Sequence, residues 1–143
     1  MIGEISNTVI VDFAALRIQN GVYIAGAVID FLNFDDEAKR IYIPYKVASL
    51  YINDTEVNSM RKCIKWLLKR LSKEVPEGVT QIIFRSDLPH LIRNRYYRKE
   101  IESLTNAEVF IKHVPMLGNK RNEIWLLAND ALIRKNSVIG EIK

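Results

Sequence analysis

Apolar residues along this chain recur first at the spacing of strands and then at the spacing of helices. Residues 7–14 hold Val9, Ile10, Val11 and Phe13 with little polar alternation, the pattern of a strand covered on both faces at the centre of a sheet. Gln19-Asn20-Gly21 is a turn signal, and Val22–Leu32 (VYIAGAVIDFL) is a second β-rich run, so the two predict an antiparallel hairpin. A polar turn over Asn33–Lys39 leads into Arg40–Val47, where Ile41, Ile43, Tyr45 and Val47 share one face. Pro44 inside that run lacks a ladder donor and predicts an edge strand.

The period then changes. After Asn53-Asp54-Thr55, an N-cap cluster, Val57, Met60, Ile64, Leu67, Leu68 and Leu71 fall at helical spacing with Lys62, Lys65, Lys69 and Arg70 off the stripe. Val75-Pro76-Glu77-Gly78 ends that helix. Val79–Ser86 returns to strand composition, Leu88–Leu104 reads as a helix opened by Pro89, and Ala107–Val114 reads as a fifth strand. Pro115–Arg121 is a loop, and Asn122–Lys135 is a last helix with Ile124, Leu127, Ala128, Ala131 and Leu132 inward. The tail from Asn136 has no clear pattern. The expected fold is α/β: a five-stranded mixed sheet, three antiparallel strands then two parallel crossover strands, flanked by helices.

Composition narrows the class. The 143 residues, 48% hydrophobic and 27% charged, predict one globular domain over residues 1–143. A net charge of +4 permits a polyanionic partner, and the basic excess is concentrated in residues 61–73 and 93–99. One cysteine and two histidines exclude an intrachain disulfide and argue against a structural zinc site. With no membrane-length apolar run and no leader-like start, the expected setting is intracellular and away from membranes.

Candidate chemistry starts at Asp12. A carboxylate in so apolar a strand is at a solvated end, paired with a base, or holding a cation. A divalent cation of the magnesium type would need further oxygens from other elements. Glu56 falls in the first turn of the long helix, Asp87 lies at the carboxyl end of the fourth strand, and Asp130 lies on the last helix, with Glu123 competing for that fourth position.

This ordered set resembles the ribonuclease H-like superfamily, nearest to type 1 ribonuclease H, over roughly residues 7–135. Val9-Ile10-Val11-Asp12 is similar to the family's first-strand acid. Asn53-Asp54-Thr55-Glu56-Val57 resembles the pattern opening its first long helix, Phe84-Arg85-Ser86-Asp87 its strand end, and Ala128-Asn129-Asp130-Ala131-Leu132 its last acidic motif. The resemblance implies a ribonuclease H-like sheet and a metal-dependent endonuclease cleaving RNA in RNA–DNA hybrids. Asp12, Glu56, Asp87 and Asp130 would hold two Mg²⁺ or Mn²⁺ ions, one activating water and the other stabilising the leaving oxygen. His113 would correspond to the family's product-release histidine. Arg93, Arg95, Arg98 and Lys99, interleaved with Tyr96 and Tyr97, together with Lys120 and Arg121, would bind the nucleic acid.

Two alternatives accompany this reading. One is a DNA-directed relative such as a junction resolvase, acting on structured DNA. The other is a module that keeps the fold and binds nucleic acid, or assembles with partners, without catalysis. Phe13-Ala14-Ala15 stands where the family has Gly-Ser after its first acid, which favours the second.

Overall fold

The structure, a computed structural model, describes residues 7–92, 95–115 and 120–141. Three long strands come first: β1 (Thr8–Gln19), β2 (Val22–Phe34) and β3 (Arg40–Asn53). They are followed by α1 (Met60–Ser72), β4 (Gln81–Ser86), a 3-10 turn (Pro89–Ile92), α2 (Arg95–Glu102), β5 (Glu108–His113), α3 (Lys120–Arg134) and β6 (Val138–Glu141). The sheet order is β5-β4-β1-β2-β3-β6. β1–β3 are mutually antiparallel, and β4 and β5 run parallel to β1. The five-stranded scheme expected from the sequence is therefore present, with a sixth strand added.

Strand β1 is central and covered on both faces for most of its length. Val9, Val11, Phe13 and Ala15 join the main core under α1 and α2, with Leu67, Leu68, Leu71, Tyr97 and Ile101. The alternate residues face α3, where Ala14 and Val28 meet Ile124, and Ile24 meets Ala128 and Ala131. Close approach of α3 depends on Gly26 in β2. A Cβ there would lie 2.0 Å from the Ile124 carbonyl oxygen. The hairpin turn after β1 uses Gly21 at φ +78°, a left-handed conformation that glycine adopts without strain.

Several boundaries differ from expectation for identifiable reasons. Asp54 does not cap α1; its carboxylate accepts from the Glu56 N–H at 2.9 Å, and its carbonyl accepts from the Val57 N–H, making a local turn. The N-cap is Ser59, whose hydroxyl accepts from the Lys62 N–H at 3.2 Å. Glu56 thus lies in the loop before α1 and not in its first turn.

Pro44 sits at a register shift in the β2–β3 ladder, where Ile29 faces Lys46 and Asp30 faces Pro44. β3 is a free edge only in part, because β6 pairs with it over Lys46–Ser49. The segment read as one helix from Leu88 splits into the 3-10 turn and the shorter α2. As a result Tyr97 is buried, while Tyr96, Ile92 and Leu104 are exposed. The last helix starts at Lys120, two residues before the expected Asn122. No helix among the described residues is long and apolar enough to cross a membrane.

Candidate functional site

Asp12 lies near the middle of β1, wholly buried, in register with Arg85 of β4. Parallel register puts both side chains on the sheet face that α3 covers. The pair is bidentate: Arg85 Nε donates to Asp12 Oδ1 at 2.6 Å and Nη2 donates to Oδ2 at 2.9 Å. Lys120, the first residue of α3, donates from Nζ to Asp12 Oδ2 at 2.7 Å. The same ammonium is paired with Asp30 Oδ2 on β2. Asp30 stands beside Ile10 in the β1–β2 ladder and is 2% exposed.

Two buried carboxylates and two cations thus form a neutral cluster. Tyr42 of β3 roofs it, with Lys120 Nζ 4.3 Å and Arg85 Cζ 5.6 Å from its ring centroid. The Asp12 carboxylate holds the Arg85 guanidinium above its ordinary pKa, so it stays charged. Burial pushes the Tyr42 hydroxyl up, but the guanidinium groups of Arg40 and Arg85 outweigh burial and leave it below its usual value. A lysine opening a helix opposes the macrodipole; here Asp12 and Asp30 offset that cost.

Of the three options for Asp12, the structure presents pairing with bases. The other acids do not converge on it. Glu56 is exposed in the loop beside the β1–β2 turn, where Thr55 lies against Gly21, roughly 20 Å along β1 from Asp12 at the usual rise per strand residue. Asp87 follows the last residue of β4 and is half-buried, but the position directly beside Asp12 belongs to Arg85. Asp130 is exposed on α3, roughly 15 Å along the helix axis from Lys120. Glu123 is exposed in the first turn of α3.

His113 pairs with Ser86, one residue out of phase with Asp12, and so points to the opposite sheet face. Among the described residues, no three His, Cys, Asp or Glu side chains come together in a way that could hold a metal ion. The donor set around Asp12 therefore does not fit the two-metal arrangement: both its oxygens already accept from cations, and the adjacent group on β4 is a cation.

The basic residues divide between the two sides of the sheet. Lys120 is consumed by the carboxylate cluster, whereas Arg121 is exposed beside it. Arg95 and Lys99 are exposed on α2, which packs on the other face, and Arg98 is tied to Glu102 at 2.6 Å over the Phe110 ring. Arg93 lies outside the described residues.

Two cations from α1 complete this side. Arg61 Cζ is 5.1 Å and Lys65 Nζ 5.3 Å from the ring centroid of Tyr96, and Lys65 donates to the Tyr96 hydroxyl at 3.2 Å. Tyr96 is 46% exposed. The basic run 61–73 looks in sequence like an ordinary outer helix face, so these two residues gave no signal of their own. Asp30 did give one, since it is a lone carboxylate inside the apolar run VYIAGAVIDFL, as Asp12 is in its own run.

No protein-family model matches the chain, and no curated protein matches it. Among solved structures, LC11-RNase H1 in complex with an RNA/DNA hybrid is 13% identical, with a TM-score of 0.44, covering 89% of this chain and 98% of that one. The structure of LC11-RNase H1 isolated from compost by a metagenomic approach is 16% identical, with a TM-score of 0.43, covering 88% and 99%. The foamy viral protease-reverse transcriptase in complex with dsDNA is 14% identical, with a TM-score of 0.43, covering 86% and 91%. The sheet order and strand directions of this chain are those of the five-stranded mixed sheet expected from the sequence, with β6 added.

Proposed function

We propose that this chain binds nucleic acid through a ribonuclease H-like scaffold in which the position of the first-strand acid serves structure and not hydrolysis. The observation carrying this reading is the full engagement of Asp12 by Arg85 and Lys120. A two-metal endonuclease needs several carboxylates free to share ions, and Glu56, Asp87 and Asp130 would all have to move towards an acid that is already neutralised. The binding surface would be the α1–α2 side. Tyr96 offers a half-exposed aromatic ring with Arg61 and Lys65 over it. Lys65 is itself paired with Glu100 at 3.1 Å, so Arg61 with Arg95 and Lys99 on α2 would supply the charge, a combination suited to stacking a base and neutralising phosphates. An RNA–DNA hybrid and structured DNA are the two substrate classes to compare.

The test is fluorescence anisotropy with a labelled hybrid, a branched DNA and a single strand over a salt series, run beside a Mn²⁺ cleavage assay. Salt-dependent binding that weakens in Tyr96→Ala and Arg61→Ala, without Asp12-dependent cleavage, supports the proposal. Absence of binding at low salt, or Mn²⁺-dependent cleavage lost in Asp12→Asn, sinks it.

A further inference from the structure

The Lys120 ammonium has surroundings that suit a bound cation. Two carboxylates from adjacent strands, Asp12 on β1 and Asp30 on β2, each direct an oxygen at it, and both are at least 98% buried. The Tyr42 ring covers it at 4.3 Å. Lys120 reaches this position from another element, the first residue of a helix packed across the sheet. Its charge at that helix end is unfavourable by itself, so the location is explained by the carboxylates and not by the helix. Without the ammonium, two buried acids would share one site with only Arg85 to balance them, an arrangement that would attract another cation or force protonation.

We propose that Lys120 supplies, covalently, the cation that Asp12 and Asp30 would otherwise take from solution, and that removing its side chain opens the position to a divalent metal. Hard carboxylate oxygens, with waters completing the coordination shell, suit Mn²⁺ or Mg²⁺. The inference rests on the reading of Asp12 as a closed structural acid. It adds Asp30, which the ribonuclease H resemblance does not include.

The experiment compares thermal midpoints and Mn²⁺ paramagnetic resonance for the wild type, Lys120→Ala and Lys120→Ala/Asp30→Asn. In Lys120→Ala, Mn²⁺ should raise the midpoint by on the order of 5 °C near saturation, as expected for a ligand that binds only the folded state, and the resonance should report one bound ion. The wild type should show neither effect, and adding Asp30→Asn should abolish both. If Lys120→Ala does not fold alone, refolding in Mn²⁺ but not in matched NaCl is the expected result.

Absence of Mn²⁺ binding or of Mn²⁺-dependent refolding in Lys120→Ala overturns the proposal. So does rescue by ethylammonium but not by Mn²⁺, since the site would then accept only an organic cation. Asp12-dependent Mn²⁺ binding by the wild type would instead overturn the closed-acid reading itself, so the two failures appear in different proteins.

Discussion

Lys120 Nζ lies 2.7 Å from Asp12 Oδ2, joining the first residue of α3 to the middle of β1. This contact fixes the sign of an acid-removal experiment. In a cluster of unneutralised carboxylates, deleting one negative charge relieves repulsion and stabilises the fold. Here Asp12 is the counter-ion of two side chains that are about four-fifths covered, so Asp12→Asn leaves cations short of a partner. The expected loss is on the order of 3 kcal/mol, read as a lower urea midpoint at unchanged slope. Glu56→Gln and Asp130→Asn, at exposed positions, should stay within about 0.5 kcal/mol of the wild type.

Gly26→Ala tests how α3 delivers Lys120. The added Cβ would meet the Ile124 carbonyl oxygen at 2.0 Å, and the obstacle is helix backbone, which cannot rotate away. The helix must shift or the strand must bend. A cost of about 1–3 kcal/mol is expected from overpacking. Loss of the Lys120 contacts would make Gly26→Ala and Lys120→Ala less than additive in a double-mutant cycle.

The sheet was legible because its signals are local. β1, β2, β4 and β5 announce themselves by β-branched runs and turn residues, and α1 by its stripe at helical spacing. The α1 cap was misplaced because Asp54 and Ser59 are both capping residue types, and only backbone geometry separates a turn from a helix start. β6, four residues long, is defined by its pairing with β3 and has too few residues to show a period.

The site was legible only in part. The unusual placement of Asp12 is visible in sequence, but its partner depends on strand register. Sliding β4 by two residues would bring Asp87, in place of Arg85, beside Asp12, and nothing in Phe84-Arg85-Ser86-Asp87 chooses between these registers. The link to Lys120 spans 108 positions and needs the packing of α3 on Gly26.

Tyr23 offers a gain in stability. Its side chain is fully buried in the main core, burial pushes its hydroxyl up, and among the described residues that hydroxyl has no hydrogen-bond partner. Removing an unsatisfied buried polar atom while keeping the ring recovers its desolvation cost. Tyr23→Phe should therefore be neutral or up to about 1 kcal/mol more stable in chemical denaturation, whereas a partnered tyrosine would lose stability.

Glu74 gives the fold a pH dependence that can be assigned to one group. It follows α1 and accepts from Arg70 Nη1 at 2.9 Å, with Lys46 Nζ of β3 at 3.5 Å. Burial pushes its carboxyl up, but Arg70 and Lys46 outweigh burial and hold it below the ordinary value of 4.5. A carboxyl with a depressed folded-state pKa binds its proton more readily when unfolded. Its contribution is therefore complete above the unfolded value and is lost as pH falls through the folded one. Because the group is partly solvated, the contribution should be under about 1 kcal/mol. Unfolding titrations of wild type and Glu74→Gln should differ by that amount at pH 7 and converge as pH falls through the lowered folded-state value. A difference that persists unchanged to the acid end of the titration would assign the effect to packing and not to charge.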